Sequence, residues 1–372
     1  MLNQSEIEKY SRQIILEDIG EEGQLKLKKA KVMVVGAGGL GCPVLQYLAA
    51  AGAGNIGIVD FDLVDGSNLH RQVLYNEEDI DKPKAEVAAE RLRKQNSNIE
   101  IISYNEKLSK HNIDTLLNDF EIIVDCTDNF ESRYLIDEVC TRTQKPMVYG
   151  SVHRYQGQVS VFNYYKKNLN PPTYRYLYPK PPEPGSGLDC SEGGVLGVLP
   201  GIIGTMQAAE VIKIITGAGE VLSGKLLCFD MRSMESVIIE IESNPENLKS
   251  HRYYDSHSES QMHVKEISAE ELKGFISDNK DIQIIDIREN ISNGISEIGF
   301  DNKNLDYVNI PRTELLQNPE RLCRGKDVVI FCNSGNSSKR IIGTLMGKYE
   351  LTNLYNLKGG IKEWKRINKN KL

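Results

Sequence analysis

The sequence predicts an α/β protein in two parts: a mixed, mainly parallel sheet organised around a glycine-rich turn, then a smaller α/β domain. Three observations predict it. Residues 31–62, KVMVVGAGGLGCPVLQYLAAAGAGNIGIVDFD, read as strand, glycine turn, helix, strand and acid. Short apolar runs at 121–124 and 146–150 are followed by an alternating run from Gln158 to Tyr164, as when an antiparallel strand is added to a buried parallel sheet. From Ser243 to His263 the chain loses periodicity, and helical and strand patterns resume beyond it. Residues 1–248, 249–265 and 266–372 are therefore expected to be a first domain, a linker and a second domain.

The first strand, Val32 to Val35, is short and mostly β-branched. Gly36, Gly38 and Gly41 follow as G-x-G-x-x-G, with an additional Gly39. Such glycines permit a tight turn and let backbone N–H groups approach a phosphate at a helix N-terminus. Pro43 fits the first turn of the next helix, Leu45, Leu48 and Ala49 supply its inward stripe, and Gly52 and Gly54 end it. Ile56 to Val59 make the second strand, and Asp60 lies about 20 residues beyond Gly41, the offset that brings an acid to a ribose hydroxyl. The stretch predicts a nucleotide site, with NAD the default ligand of this motif taken alone; the alternative is a turn that only packs helix on strand.

Composition bounds the partners. At 40% hydrophobic residues the chain has material for a core, and its formal charge of −7 argues against a general nucleic-acid or anionic-membrane binder. No apolar run is expected to approach the roughly 18 residues that span a bilayer. The opening MLNQSEIEKYSRQ lacks the pattern of a signal peptide, so a cytoplasmic location is expected. Seven cysteines (Cys42, Cys126, Cys140, Cys190, Cys228, Cys323 and Cys332) are scattered and form no C-x-x-C, against a disulfide framework or a simple zinc site.

Ser5 to Leu27 reads as helical, with Arg12 inside YSRQIIL; on spacing alone Arg12 is a solvated arginine. FDLVDGSNLHRQVLY is irregular until Asp81 caps a helix carrying Ala85, Val87, Ala88 and Leu92. Asn68, Arg71 and Lys84 thus leave the carboxyl edge of the sheet, where ligands of open α/β sheets bind. The two cations suggest more phosphate charge than a dinucleotide carries, or else solvated surface charge. Ile99 to Tyr104 is a strand, and the strand at Glu121 to Val124 runs into Asp125-Cys126-Thr127-Asp128-Asn129. A magnesium ion on a triphosphate takes one or two such carboxylates; either acid could instead cap the helix starting near Phe130. The proline-rich stretch Asn168 to Gly187 leads to Cys190, a nucleophile or an unreactive loop cysteine. An apolar helix from Ile202 to Ile215 and strands around Leu226 and Val237 close the first part. His251, His257 and His263 in the linker match no zinc spacing.

The second part opens with ISAEELKGFI, where Ser268 and Glu271 form a capping box. Strands follow at Ile282 to Ile287 and Asp327 to Phe331, the second running into CNSGNSSKR and a helix, and NLYNLKGGIKEW closes the pattern. Cys332 sits where several N–H groups can converge on sulfur, a setting that stabilises a thiolate or persulfide.

YSRQIIL, VVGAGGLGCPVLQYLAAAG, DFDLVDGSNLHRQVLY, DKPK, DCTDN and CSEGGVLGVLPG occur in that order, and residues 5–248 resemble the MoeB/ThiF family of ubiquitin-activating-type adenylyltransferases. DIR, NIP, CNSGNSS and LKGGIKEW make residues 266–369 similar to a rhodanese-like domain. The resemblance implies a Rossmann-like adenylation domain that takes ATP and Mg2+ rather than NAD. It places Gly36, Gly38, Gly39 and Gly41 around the phosphates, Asp60 on the ribose, Asn68, Arg71 and Lys84 on the triphosphate, and Asp128 on magnesium, with Asn129 in the same motif. It brings Arg12 to the phosphates of the partner subunit of a homodimer. The implied activity is adenylation of the C-terminal glycine of a small ubiquitin-like sulfur carrier ending in Gly-Gly, for molybdopterin, thiamine or tRNA thiolation pathways. A persulfide on Cys332, loaded by a donor such as a cysteine desulfurase, would then give a thiocarboxylate, with Cys190 forming an acyl link or resolving a disulfide. A non-catalytic recruiting role for the second domain and an NAD-dependent oxidoreductase are the competing readings.

Two departures from the family pattern stand out. Thr173 to Tyr176 and Pro245 to Leu248 occupy the places of the family's two zinc-binding C-x-x-C pairs, so no structural zinc is expected and packing around Tyr174, Tyr176 and Tyr178 must serve instead. The second domain has ENISNGISEIGFDNKNLDYV in place of G-H-I-x-G-A before NIP.

Overall fold

The structure, a computed structural model, describes residues 1–165, 171–180, 194–241, 264–288, 305–323, 325–349 and 351–368. These fall into two compact units, one on each side of the stretch 242–263.

In the first unit the strands are β1 (Lys31–Val35), β2 (Asn55–Val59), β3 (Glu100–Tyr104), β4 (Ile122–Asp125), β5 (Met147–His153), β6 (Gln156–Phe162), β7 (Lys225–Asp230) and β8 (Glu235–Glu240). They form one sheet in the order β3-β2-β1-β4-β5-β6-β7-β8. The first five are parallel, so β1, β2 and β4 end together at one edge; β6, β7 and β8 are added antiparallel. This is the mixed, mainly parallel sheet that the alternation beginning at Gln158 predicts. Val32 to Val35 and Ile122 to Asp125 are buried throughout, because helices cover both faces there.

The helices are α1 (Gln4–Ile14), α2 (Gly20–Lys29), α3 (Gly41–Ala51), α4 (Lys84–Gln95), α5 (Ile113–Leu117), α6 (Phe130–Thr143), α7 (Tyr174–Leu177) and α8 (Val198–Thr216). Three expectations are corrected. Ser5 to Leu27 is two helices, broken between Ile15 and Ile19, with Gly20 left-handed at φ +57°. Asp81 does not cap α4: its own φ is +67°, and Pro83 takes the N-cap position. α8 is longer than the expected run; at 19 residues it is long and apolar enough by length and composition to cross a membrane. Half of it is buried, because it is a core helix: an alanine-like Cβ at Gly204 would lie 2.4 Å from the Leu40 carbonyl, so α8 seats directly on the start of α3. Its one ion pair among the described residues, Lys213 with Glu210, lies on the same helix.

The second unit has five parallel strands: β9 (Lys265–Ile267), β10 (Ile282–Asp286), β11 (Asp306–Asn309), β12 (Asp327–Phe331) and β13 (Leu354–Leu357), in the order β11-β10-β12-β13-β9. Helices α9 (Ala269–Ser277) and α12 (Gly360–Asn368) bury Leu272, Ile361 and Trp364 against one face. Helices α10 (Arg312–Gln317) and α11 (Asn336–Tyr349) bury Leu315, Ile342 and Leu345 against the other. The expected box holds: the Glu271 N–H donates to Ser268 Oγ at 3.1 Å, and the Ser268 N–H donates to Glu271 Oε2 at 2.8 Å.

Candidate active site

The glycine turn is fixed from both neighbouring strands. The Gly36 N–H donates to the Val59 carbonyl (2.8 Å) and the Cys126 N–H to the Val35 carbonyl (2.9 Å). Gly36 has φ +96°, and a Cβ there would stand 2.7 Å from the Cys126 carbonyl; one at Gly41 would stand 2.0 Å from the Gly36 carbonyl. The turn therefore closes on itself only with glycine at both ends. Asp60 ties into it: Oδ2 accepts the Ala37 N–H at 2.7 Å and Oδ1 the Asp62 N–H at 2.8 Å. Burial pushes the Asp60 carboxyl up from its ordinary value, partly offset by the nearby Lys84 ammonium.

Lys84, the first residue of α4, is buried with its Nζ donating to Asp62 Oδ2 at 2.9 Å. Arg71 is half-buried. Its Nη2 donates to Asn68 Oδ1 at 2.5 Å, and its Nη1 lies 2.8 Å from His70 Nε2. Burial pulls the Arg71 guanidinium down, and the Asp128 carboxylate opposes that shift, so the two expected phosphate- and metal-facing groups share one electrostatic field. The choice left open for the acids of D-C-T-D-N resolves on geometry. Neither caps α6; Asn129 does, its Oδ1 accepting the Ser132 N–H at 2.9 Å. Asp125 is consumed by Thr127, accepting from its N–H at 3.0 Å and its hydroxyl at 2.6 Å. Asp128 is exposed, and among the described residues its carboxylate takes one hydrogen bond, from the Asn129 amide at 3.5 Å, which leaves room for a hard cation.

Arg12 is not brought to this edge by its own chain. The neighbouring Gln13 side chain donates to the Ala51 carbonyl at the C-terminal end of α3, about 15 Å along that helix from the glycine turn. Arg12 is exposed in the last turn of α1, with no hydrogen-bond or ion-pair partner among the described residues.

In the second unit Cys332 directly follows β12 and is 6% exposed. Its Sγ accepts the Gly335 N–H at 3.2 Å and lies 3.4 Å from the Ser338 hydroxyl. The start of α12 closes over the turn: the Ile361 N–H donates to the Cys332 carbonyl at 2.9 Å, and a Cβ at Gly360 would lie 2.4 Å from that same oxygen. Ser338 is held in turn by Asn356 Oδ1 at 2.6 Å, and Asn356 donates to Glu266 at 3.2 Å. The Gly335 N–H is thus the donor aimed at the sulfur, while the Ser338 hydroxyl gives its one hydrogen to Asn356 Oδ1.

Residues 10–250 match the family model described as the ThiF family, and residues 268–367 match that of the rhodanese-like domain. The chain belongs to the ThiF family. Among curated relatives of this ThiF-family chain is a Xenopus laevis protein named adenylyltransferase and sulfurtransferase MOCS3, 37% identical over 98% of this chain and 87% of that protein. A Thermus thermophilus protein named sulfur carrier protein adenylyltransferase is 45% identical over 64% of this chain and 89% of its own length. Solved structures of E. coli MccB resemble the fold. One MccB structure has TM-score 0.58 at 25% identity, covering 66% of this chain and 72% of that one; MccB with ATP has 0.54 at 25%, covering 65% and 73%.

Thr173 to Tyr176, which stand where the resemblance implies one of the zinc-binding pairs, are the N-cap and first three residues of α7, inside an aromatic cluster. Tyr174 is fully buried, with the rings of Tyr178, Tyr134, Tyr149 and Phe162 at 5.1, 5.2, 5.5 and 5.8 Å. Arg175 is also fully buried and lies over the Tyr134 ring at 4.8 Å. Packing around Tyr174 and Tyr178 thus holds this segment, while Tyr176 stays half-buried. Asp137 anchors it by accepting the Tyr174 N–H at 2.9 Å. Burial pushes the Asp137 carboxyl up to about 6, against the pull of that bond and of Asn163. A raised value means the protonated form favours the fold: the contribution is complete below the ordinary value of 3.8 and is lost as pH rises through about 6. Asp137→Asn is therefore expected to flatten the pH dependence of stability between about pH 4 and 6, where Asp137 accounts for about 1–3 kcal/mol, as read by urea unfolding across that range. Cys190, Pro245 to Leu248 and residues 289–304 lie outside the described residues.

Several residues of the site escape sequence reasoning. Tyr75 donates its hydroxyl to the Ala37 carbonyl at 2.8 Å beneath the glycine turn, and Arg133 donates to the Thr127 carbonyl at 2.8 Å beneath Asp128. The signal for Arg133 is its place four residues after the cap Asn129, on the face of α6 that meets the strand end.

Proposed function

We propose that this chain adenylates the C-terminal carboxylate of a small sulfur carrier protein and then replaces the adenylate with sulfur from Cys332. One observation carries the reading. In a single chain the glycine turn, Asp60, Lys84, Arg71 and an exposed Asp128 stand at one sheet edge, and the second unit has a cysteine whose sulfur accepts a backbone N–H at a strand-to-helix turn. The name of the Xenopus relative supports the same pairing, and that of the Thermus relative supports its first half.

A carrier carboxylate is already a nucleophile, so the first step needs positioning and charge stabilisation rather than a base. Its oxygen attacks the α-phosphorus of ATP, the bond to the β-phosphate oxygen breaks, and pyrophosphate leaves. Lys84 and Arg71 supply the positive charge, and Asp60, locked to the Ala37 N–H, sets the ribose end. The Asp128 carboxylate is the group that would hold a magnesium ion carried on the triphosphate. That ion would neutralise charge on the phosphates. In the second step the terminal sulfur of a Cys332 persulfide attacks the acyl carbon and AMP leaves, giving an acyl disulfide. A second thiol, for which Cys190 is the chain's candidate, attacks Cys332 Sγ; the sulfur–sulfur bond to the acyl group breaks, the thiocarboxylate departs, and the new disulfide on Cys332 is reopened by an external thiol reductant before the next turnover. The persulfide comes from a donor such as a cysteine desulfurase. The docking of α1 far from its own glycine turn supports a homodimer in which Arg12 serves the partner's phosphates.

The reading is tested by ATP–pyrophosphate exchange with carriers ending in Gly-Gly. Exchange that requires the carrier and is abolished by removing its last glycine is the expected result. NADH binding with no exchange for any such carrier would overturn it.

A further inference from the structure

We propose that Arg133 and Gln207 are positioning residues for Asp128, fixing the backbone of the turn after β4 so that the Asp128 carboxylate is presented at the sheet edge. The inference rests on the reading above that Asp128 holds the magnesium of MgATP.

The turn is short: β4 ends at Asp125 and α6 starts at Phe130. The two side chains grip it from opposite elements. Gln207, from the middle of α8, donates through Nε2 to the Asp125 carbonyl at 2.8 Å and to the Val148 carbonyl at 3.3 Å, while its Oε1 lies 3.8 Å from Cys126 Sγ. It lies directly over Gly150, where a Cβ would come within 2.3 Å of its amide carbon. Arg133, from the first turn of α6, donates through Nη2 to the Thr127 carbonyl at 2.8 Å and through Nη1 to Ser151 Oγ at 3.4 Å. Its Nε is 3.6 Å from Asp125 Oδ2, and its guanidinium faces the rings of Tyr149 and Phe130 at 5.3 and 5.8 Å. Gln207 is fully buried and Arg133 is 3% exposed.

The residues on the N-terminal side of Asp128 are therefore held by buried side chains, while Asp128 itself is exposed. A rigid backbone under a free carboxylate lowers the ordering cost of binding a cation. Arg133 also compensates the buried Asp125 charge, so its two roles separate by substitution. Lysine keeps the charge but loses the planar fork that reaches Thr127 and Ser151 together. Groups that hydrogen-bond a metal ligand typically carry about 10- to 100-fold in metal affinity, and Arg133 and Gln207, which act through the backbone carbonyls before Asp128, belong at the low end of that range.

The test uses the full-length chain, with manganese as the probe. Mn2+ affinity is measured by calorimetry in the presence of saturating ATP, and ATP affinity separately in EDTA, for wild type, Arg133→Lys, Gln207→Met and the double variant Asp125→Asn/Arg133→Met. The double variant removes both buried charges together and keeps an oxygen for Thr127, so it decides the matter if Arg133→Lys fails to fold. Expected is Mn2+ binding weakened about tenfold or more in the variants, with metal-free ATP affinity within about twofold of wild type. Folded variants with wild-type Mn2+ affinity, or with ATP affinity in EDTA lowered as much as Mn2+ affinity, would overturn the proposal. Asp128→Asn separates the underlying reading: if that change leaves Mn2+ affinity untouched, it is the assignment of Asp128 that fails.

Discussion

Replacing Cys332 by alanine is expected to reduce thiocarboxylate formation by at least about 10²-fold while leaving carrier-dependent ATP–pyrophosphate exchange within about twofold of wild type. The asymmetry follows from the architecture. Cys332 directly follows β12 in the five-stranded sheet, whereas the glycine turn belongs to the eight-stranded one, and its sulfur bonds Gly335 and Ser338 of its own unit. Alanine removes the sulfur that accepts the Gly335 N–H but keeps the backbone that the Ile361 N–H clamps, so the turn survives. Mass spectrometry of the carrier after incubation with ATP and a persulfide donor reads the first quantity, and radiolabelled pyrophosphate exchange the second. Unchanged thiocarboxylate yield would make the second unit a recruiting module and leave sulfur transfer to another protein. Loss of both activities would show that Cys332 supports the first step as well, contrary to the mechanism.

The second large effect is expected at Arg71. Its guanidinium is only half-buried and is oriented by Asn68 and His70, so Arg71→Met should fold normally. Methionine retains the length of the stem and loses the charge that faces developing negative charge on the phosphates. Removing one such preorganised donor typically costs about 10²- to 10³-fold in rate. The loss should appear in the maximal exchange rate more than in the half-saturating ATP concentration, because the interaction strengthens as pyrophosphate separates. An equal loss in ATP affinity and no loss in rate would reduce Arg71 to a ground-state anchor.

Much of this site was legible in the sequence because local rules and the tertiary fold agree there. Gly36 and Gly41 have no substitute where a Cβ would collide with backbone oxygen, and Asp60 sits at the offset the strand length imposes. Where local signals compete, the sequence misleads. Asp81 reads as a helix cap, but Lys82 and Pro83 intervene before α4 and the cap position falls to Pro83. The break between α1 and α2 has no proline to announce it and depends on how both helices dock. Short elements such as β9 and α7, of three and four residues, carry too few positions for periodicity to register. Arg133 and Gln207 are invisible for a different reason: they act on backbone carbonyls, and a carbonyl leaves no mark on the identity of its residue.

α8 has a consequence for how the chain acquires its structure during synthesis. It packs on α2, α3, β4, β5 and β6, and so bridges the parallel and antiparallel parts of the sheet at once. α3 is made first and waits for this cover while about 150 further residues are added. The nucleotide half of the sheet is thus incomplete on the ribosome until α8 has emerged, and contacts of such high sequence separation make its assembly slow. Until then the apolar face of α3 stands open, so chains truncated before Val198 are the ones a chaperone would be expected to retain.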